Sequence, residues 1–342
     1  MKVLVLRFSS IGDIVLTTPV LRGLHQQAGA EVHVLTKRAF SPILEPNPHV
    51  SRVFSFEKDV HEVLPALRAE QYDHIVDLHH NLRSLRLKLA LHRPARAFDK
   101  LNLEKWLLVN TGLDLLPDAH IVHRYVAAAA HLGVRYDGQG LDHFIPPDQE
   151  LHVPGLHPHL GAGGYVAFAL GATHATKRLP PEQMLDICRQ VPMPIVLLGG
   201  KAEQAAGQML AQACAATPAA DKLVINACGA LSLHQSASVL RQSGVVLTHD
   251  TGLMHIAAAL RKPIVSLWGS TVPKFGMYPL YPDGQDANTS LQVLGLRCRP
   301  CSKIGHARCP KGHFQCMRGI PADAVAAAVM RSWPGWQQTD RL

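Results

Sequence analysis

Long hydrophobic runs, aromatic side chains and the common nucleotide-binding signatures are scarce or missing in this sequence. Aromatic residues make up only 6% of its 342 residues. No apolar run approaches the ~18 residues of a membrane-spanning helix, which argues against a transmembrane protein. Neither GxGxxG nor GxxxxGK[ST] occurs, so dinucleotide-fold and P-loop chemistry are not indicated. Arg7 and Asp13 interrupt the first apolar stretch, which is not the pattern of a signal peptide, and we expect a cytoplasmic protein.

The positive charge of the chain is unevenly distributed. The net charge is +8, yet residues 1–150 hold 17 basic and 17 acidic side chains, so the excess lies in the second half. Residues 83–105 hold seven basic against two acidic side chains, and residues 297–318 hold six basic side chains and no acid. Such segments indicate anionic partners, although a basic helix is often only a solvated surface.

The first half alternates short apolar runs with helical patterns, which is typical of a doubly wound α/β domain. The patterns predict strands at 2–8, 31–36, 53–56 and 73–78, and helices at 14–27, 60–69 and 123–132. A basic helical stretch at 79–105 interrupts this alternation. It is either a solvated face or a cationic wall beside a ligand site.

The second half repeats this architecture with a different sequence. The patterns predict strands at 165–170, 194–198, 223–226, 245–249 and 263–267, and helices at 181–190, 203–215, 234–241 and 321–331. Proline and glycine, including Pro158, Gly161 and Gly163, make 137–163 the best candidate for a linker. We therefore predict domains at 1–150 and 151–320, and a C-terminal segment at 321–342 that packs back on the first domain.

Three turns that follow strands in the second half carry small or cationic residues suited to a nucleotide diphosphate. Because parallel strands end at one sheet edge, we expect these turns to lie together. Glycine lets a phosphate approach the backbone, and Lys177 and Arg178 could neutralise it. The predicted donor-site residues are Gly171, Thr173, Lys177, Arg178, Gly199, Gly200, Asp250, Thr251 and Gly252. Asp250 or Thr251 could instead only cap the helix that follows.

The turn 9–13 is the matching position in the first half. Asp13 lies near a helix N-terminus, where a carboxylate stabilises the helix. It could equally be a general base that faces a substrate. The local sequence does not separate these two roles.

Two long motifs together resemble the family 9 glycosyltransferases, the ADP-heptose:lipopolysaccharide heptosyltransferases. They are VLVLRFSSIGDIVLTTPVL at 3–21 and DTGLMHIAAAL at 250–260. The turns at 199–200, 229–233 and 263–271 fit the same pattern, so the resemblance spans nearly the whole chain. It implies a B-type glycosyltransferase fold, with two Rossmann-like doubly wound domains that face a cleft.

The resemblance also implies an inverting, metal-independent transfer of L-glycero-D-manno-heptose from ADP-heptose to an anionic inner-core lipopolysaccharide acceptor. Asp13 would be the base, Lys177 would stabilise the leaving diphosphate, and His255 would lie near the donor. Ser9, Ser10, Gly12, Arg83 and Arg86 would bind the acceptor. We expect no catalytic cofactor, a monomer, peripheral contact with the cytoplasmic face of the inner membrane and no nucleic-acid partner. Another nucleotide sugar is the alternative donor.

Four cysteines near the C-terminus, Cys298, Cys301, Cys309 and Cys316, leave three alternatives open. A C-x2-C pair followed by two more cysteines is compatible with a structural zinc site, with a disulfide, or with reduced thiols. Two other functions deserve comparison. A UDP-sugar epimerase would need further carboxylates and a histidine that the 9–13 turn does not supply. Nucleic-acid binding through 297–318 would lack stacking aromatics apart from Phe314.

Overall fold

The computed structural model describes residues 1–157, 160, 164–216 and 223–334, which form two compact units. Unit 1 consists of Met1–Asn102, Pro117–Phe144 and Leu280–Gly284, and unit 2 of Leu103–Leu116, Ile145–Pro279 and Gln285–Leu342. Each unit therefore consists of three chain segments, whereas the predicted division into domains 1–150 and 151–320 has a single boundary between them. Pro158, Gly161 and Gly163 of the predicted linker lie outside the described residues.

Unit 1 is built on a parallel sheet with the strand order of a Rossmann fold. Its strands are β1 (Lys2–Leu6), β2 (Glu31–Lys37), β3 (Arg52–Phe56), β4 (His74–Asp77) and β5 (Ala95–Ala97), in the spatial order β3-β2-β1-β4-β5. Leu4 and Leu6 are fully buried in its core with Leu35 and Ile75. A central parallel strand is covered on both faces, which explains the continuous apolar run of β1.

Proline divides two of the helices that we predicted as continuous in unit 1. The segment 14–27 forms α1 (Ile11–Val15) and α2 (Thr18–Gln26), with Pro19 in the first turn of α2. Proline has no N–H to continue the earlier helix, and the Thr17 and Thr18 hydroxyls donate to the carbonyls of Ile14 and Val15. The segment 60–69 likewise forms a 3₁₀ turn and then α3 (Leu64–Ala69), which has proline in its first turn. The third helix predicted in this half, at 123–132, corresponds to α6 (Ile121–Ala129).

The basic stretch at 79–105 is not one helix. It contains α4 (Leu82–Leu91), then β5 at the edge of the sheet, and then the start of α5 (Asn102–Thr111). The composition predicted no strand here, because β5 has only three residues and two of them are exposed. An edge strand of this kind has no hydrophobic pattern.

Unit 2 contains a second Rossmann-like parallel sheet with six strands. They are β6 (Val166–Ala169), β7 (Ile195–Leu198), β8 (Val224–Asn226), β9 (Val245–His249), β10 (Ile264–Trp268) and β11 (Asn288–Gln292). Their spatial order is β11-β10-β9-β6-β7-β8. The five predicted strands are present, whereas the polar edge strand β11 was not predicted.

The helices of unit 2 follow the predicted pattern closely. They are α7 (Pro181–Gln190), α8 (Gln204–Ala215), α9 (Leu233–Gln242), α10 (Gly252–Ala259), α11 (Gln315–Arg318) and α12 (Ala322–Ser332). We expected the C-terminal segment to pack on the first domain, but α12 contacts α7 and β9–β11. Val325 and Val329 belong to the unit 2 core, because their apolar stripe covers this sheet. Residues 335–342 lie outside the described residues. Within the described ranges, no helix is both long and apolar enough to cross a membrane.

Candidate functional site

Most of the predicted site residues follow the two neighbouring strands between which the strand order of each sheet changes direction. In unit 2 these strands are β6 and β9, which pair in parallel with Ala169 opposite Thr248. Strand β7 lies on the other side of β6, with Leu198 opposite Ala169. The turns after β6, β7 and β9 therefore share one sheet edge, as we predicted. Ligands of open α/β sheets bind outside the carboxyl ends of strands at this reversal point.

Lys177 and Asp250, from the turns after β6 and β9, form an ion pair in unit 2. The Lys177 ammonium lies 2.6 Å from Asp250 Oδ2, and both side chains are largely buried. The Thr271 hydroxyl donates to the same oxygen at 2.8 Å. The pair thus places one cation and one oriented carboxylate at the sheet edge predicted to hold the donor.

Helix α10 begins immediately after this ion pair. Thr251 is its N-cap residue, but the Thr251 hydroxyl makes no capping hydrogen bond. The interpretation that Thr251 only caps the helix is therefore not supported by a side-chain contact. Gly252 is the first helical residue, and the first N–H groups of a helix attract anions. His255 lies one turn later and is buried against the sheet.

The glycine turn after β7 is occupied by Glu203. The Gly200 N–H donates to Glu203 Oε2 at 2.9 Å, and a side chain on Gly199 would meet Glu203 Cβ at 2.7 Å. A side chain on Gly171 would likewise lie 3.1 Å from the Glu203 carboxyl carbon. The absence of a side chain at Gly199 therefore leaves room for Glu203, and contact of this glycine with the donor stays a prediction.

Alanine substitutions of these two neighbouring glycines should separate packing from ligand contact. Gly199→Ala should lower the free energy of unfolding by about 1–3 kcal/mol, because Cβ has no room beside Glu203. Gly200→Ala should leave it nearly unchanged, because its Cβ would meet only Glu203 Oε2, at 3.5 Å, and φ is −79°. Urea unfolding of both variants measures the difference. Equal stability of the two would contradict the packing role of Gly199.

A pocket of about 430 Å³ lies beside Arg178 and Glu203 in unit 2. Its other walls are mainly apolar and include Leu179, Met184 and Phe314. Arg178 Nη1 lies 3.5 Å from Glu203 Oε1, whereas Thr173 is exposed on the loop before them. An apolar pocket next to a paired carboxylate is suited to a base and its ribose, because carboxylates accept ribose hydroxyls in Rossmann folds. Sequence reasoning missed Glu203.

The cysteine-containing segment supports the turn that carries Lys177. The Thr176 hydroxyl accepts from the His306 N–H at 2.8 Å and from the Ser270 hydroxyl at 2.9 Å. Arg299 donates to the carbonyls of Gly269 and Thr271. Its guanidinium is therefore hydrogen-bonded within unit 2, whereas the other five basic side chains of 297–318 are exposed.

The four C-terminal cysteines do not form a preassembled metal site. All four thiols are free, and Cys298 Sγ lies 3.7 Å from His313 Nε2. Burial, followed by the neighbouring thiols, raises the pKa of Cys316 to about 11, so this thiol is protonated at neutral pH. Across the described residues, the one group of three or more metal-ligating side chains within 4.8 Å is Glu31, His33 and Glu70. Lys2 and Arg52 already neutralise Glu70 in that group. The four thiols are thus not gathered within that distance in the described residues, and a structural zinc site stays a prediction.

His249, the last residue of β9, should make stability depend on pH. Burial, and then the charge of Arg178, lower its pKa to about 4, and its Nε2 accepts from the Leu179 N–H at 3.0 Å. Because the unfolded pKa is 6.5, this contribution to stability is complete above pH 6.5 and is lost as the pH falls towards 4. The expected loss between pH 7 and pH 5 is about 2 kcal/mol. His249→Gln should flatten the dependence in urea unfolding at both pH values, and an unchanged slope would contradict it.

Asp13 is held from two sides in unit 1. Its Oδ1 lies 2.6 Å from Arg7 Nη2, and its Oδ2 accepts from the Ser10 N–H at 3.1 Å and the Ser10 hydroxyl at 2.8 Å. The Ser10 contacts are those of a helix cap. The carboxylate remains about one fifth exposed. The Asp13 side chain therefore stabilises the start of α1 and is at the same time the candidate base. Gly12, the residue before it, is buried.

Arg7 fixes this carboxylate and was not predicted as a site residue. Its guanidinium also donates to the Leu78 carbonyl and, at 2.9 Å, to the Tyr125 hydroxyl. His79 follows β4 and packs against Phe8 with ring centroids 4.5 Å apart. Burial, and then the charge of Arg7, lower the His79 pKa to about 4, which leaves a neutral ring near Asp13. An arginine inside an apolar run was the signal that could have identified this network.

Asp77, at the end of β4, anchors α4. Its buried carboxylate accepts from the Ser84 hydroxyl at 2.7 Å and lies 2.8 Å from Lys88 Nζ. Burial alone would raise the pKa of Asp77, but hydrogen bonds from Lys88, His80 and Ser84 lower it below its usual value. Lys88 is thus structural, whereas Arg83 and Arg86 are exposed on the same helix. Only part of the predicted cationic wall is available to an anionic ligand.

Comparison with known proteins agrees with this architecture. The model of glycosyltransferase family 9 (heptosyltransferase) matches residues 60–308. Lipopolysaccharide heptosyltransferase 2 of Escherichia coli K12 is 25% identical over 303 residues, which cover 80% of this chain and 84% of that protein. The solved structure of E. coli ADP-heptose lps heptosyltransferase II superposes with a TM-score of 0.71 at 20% identity, covering 97% of this chain and 98% of that one.

A second solved structure shares the fold still more closely. The family 9 glycosyl transferase of Veillonella parvula superposes with a TM-score of 0.77 at 20% identity, covering 97% of this chain and 96% of that one. The family model covers more than half of this chain, and both superpositions include its two Rossmann-like units. The chain therefore belongs to glycosyltransferase family 9 and is a glycosyltransferase with the B-type fold.

Proposed function

We propose that this glycosyltransferase transfers L-glycero-D-manno-heptose from ADP-heptose to the inner core of lipopolysaccharide, with inversion and without a metal. The relatives named above are heptosyltransferases, which supports the class of reaction. The observation that carries the proposal is the Lys177–Asp250 pair at the start of α10. It offers a cation and helix N–H groups for a diphosphate, so charge on the leaving group is stabilised by the protein itself.

Unit 2 is proposed to bind the donor. The Lys177 ammonium would turn from Asp250 to the diphosphate, and the N–H groups of Gly252 and Leu253 would contact its phosphate oxygens. Asp250 and Glu203 are the carboxylates suited to accept ribose hydroxyls. The base would occupy the apolar pocket beside Arg178. We also propose that the donor contacts Gly171, Thr173, Gly200 and His255.

Unit 1 is proposed to supply the base and to bind the acceptor. Asp13 would take the proton of the acceptor hydroxyl as its oxygen bonds to the anomeric carbon. The bond between that carbon and the diphosphate oxygen breaks at the same time, and ADP leaves with the electron pair. Arg7 and Ser10 orient the carboxylate for this transfer. Arg83 and Arg86 would meet acidic groups of the acceptor.

Nucleotide-dependent thermal stabilisation tests the donor directly. ADP and ADP-heptose should raise the Tm, whereas UDP and GDP should have little effect, because a ligand that binds only the folded state stabilises it more as its concentration exceeds its Kd. NMR of the product made from ADP-heptose and a delipidated core acceptor then gives the anomeric configuration. Stabilisation by UDP or GDP alone would refute the donor assignment, and retention at the anomeric carbon would refute the inverting mechanism.

A further inference from the structure

The large exposed apolar side chains of this protein are concentrated in one stretch of sequence. Of the eleven exposed large hydrophobic side chains in the described residues, seven lie within 82–115. Three of them lie on α4 of unit 1, namely Leu82 at 73%, Leu85 at 46% and Leu89 at 62% exposure. Isolated exposed leucines are ordinary on protein surfaces, but a cluster of this kind indicates a binding surface.

The three leucines form a stripe along α4 that packing within unit 1 does not explain. They follow an i, i+3, i+7 spacing, so they share one side of the helix. The opposite side already packs in the core of unit 1 through Leu87 and Leu91. Helix α4 is therefore apolar on two sides. The side with Leu87 and Leu91 packs in the core of unit 1, and the side with the three leucines is exposed. The exposed stripe, with Arg83 and Arg86 beside it, is called the α4 face below.

The chain segment that carries the α4 face has charged side chains of one sign, although Asp59, in the turn before α3, lies close enough to Arg83 for that arginine to help lower the Asp59 pKa. Residues 78–98 contain five basic side chains and no acid. One of the five, Lys88, forms an ion pair with Asp77. Arg83 and Arg86 are exposed beside the stripe, and Arg93 and Arg96 are exposed just after the helix. Leucines flanked by arginines are typical of a helix that lies in the headgroup region of an anionic membrane.

We propose that the α4 face docks on an anionic phospholipid bilayer. The leucines would enter the boundary between headgroups and acyl chains, and Arg93 and Arg96, exposed just after the helix, would contact lipid phosphates. Arg83 and Arg86 stay assigned to the acidic groups of the acceptor, as proposed above. A second copy of the chain is the poorer occupant, because a two-fold contact through this face would bring arginines against arginines. A soluble sugar acceptor is also poorer, because it offers no apolar surface to the leucines. The proposal goes beyond the transfer reaction and does not depend on the identity of the donor.

Sedimentation with phospholipid vesicles free of glycolipid tests this docking. The full chain should bind phosphatidylglycerol vesicles, should bind pure phosphatidylcholine vesicles much more weakly, and should dissociate as salt rises. Leu85→Gln/Leu89→Gln should reduce binding at least about tenfold, because burial of apolar area drives the insertion. Met209→Gln is the matched control and should bind normally, since Met209 is exposed on the uncharged helix α8.

Several outcomes would overturn the docking. They are unchanged binding of the double variant, equal binding to neutral vesicles, or binding only when the vesicles contain the lipopolysaccharide acceptor. A doubled mass in light scattering that the leucine substitutions abolish would assign the face to a second copy instead. If the double variant does not fold, Leu82→Gln replaces it, because Leu82 is the most exposed of the three. Transfer to a delipidated acceptor in solution should persist in these variants, which separates failure of docking from failure of the proposed function.

Discussion

Asp13→Asn is expected to lower kcat by about 10²–10⁴-fold, the usual contribution of a positioned general base. The amide preserves the size of the side chain and can still accept from Ser10, but it cannot take a proton from the acceptor. The affinity for ADP should stay near that of the unmodified protein, because the donor contacts are proposed to belong to unit 2. Steady-state transfer kinetics and calorimetric ADP binding measure the two effects separately.

The same substitution also removes the charge that faces buried Arg7, so a structural effect has to be separated from a catalytic one. Asp137→Asn is the matched control, because Asp137 pairs with the buried Arg22 of unit 1 at 2.6 Å outside the candidate site. Both variants should lose some stability, since each leaves a buried guanidinium with one partner fewer. Only Asp13→Asn should lose turnover. Comparable activity of the two variants would remove Asp13 as the base.

Lys177→Met is expected to lower kcat by about 10²–10³-fold and to weaken ADP-heptose binding, because it removes the cation proposed to stabilise the leaving diphosphate. Transfer rates at saturating donor and thermal shifts with ADP measure these changes. Lys201→Met, at an exposed lysine in the turn after β7, removes the same charge without touching Asp250. This control should retain nearly full activity.

A second variant distinguishes stabilisation of the leaving group from neutralisation of Asp250. In Lys177→Met alone, Asp250 keeps a largely buried charge that could repel the diphosphate. Lys177→Met/Asp250→Asn removes both charges and keeps an acceptor for Thr271. If Lys177 acts on the diphosphate, the slow transfer should persist in the double variant. Recovery of the rate would show that Lys177 only balances Asp250.

Local patterns were sufficient to predict the central strands and several helices. The run around β1 and the helix at 181–190 have the expected limits to within a few residues, because a buried parallel strand and an amphipathic helix each have a characteristic local periodicity. The strands β5 and β11 were missed. Both lie at sheet edges, where main-chain pairing rather than side-chain burial holds them, so their sequences carry no apolar run.

The candidate site was predicted as a set of residues but not as a set of contacts. The turns after β6 and β9 were expected to meet because parallel strands end at one edge, and they do. Glu203 in the glycine turn, Lys88 against Asp77 and Arg7 against Asp13 were not expected. Which of several nearby cations a carboxylate selects depends on distances of a few ångströms, and composition does not contain them.

The sequence by itself therefore determined the fold class, the family resemblance and the turns that share one sheet edge, because each of these depends on periodicity or on a contiguous motif. Only the tertiary structure decided that α12 packs in unit 2, that Glu203 packs against Gly199 and that Lys177 pairs with Asp250. These features join segments far apart in the chain. Their energies come from burial and charge at short range, and folding alone brings those atoms together.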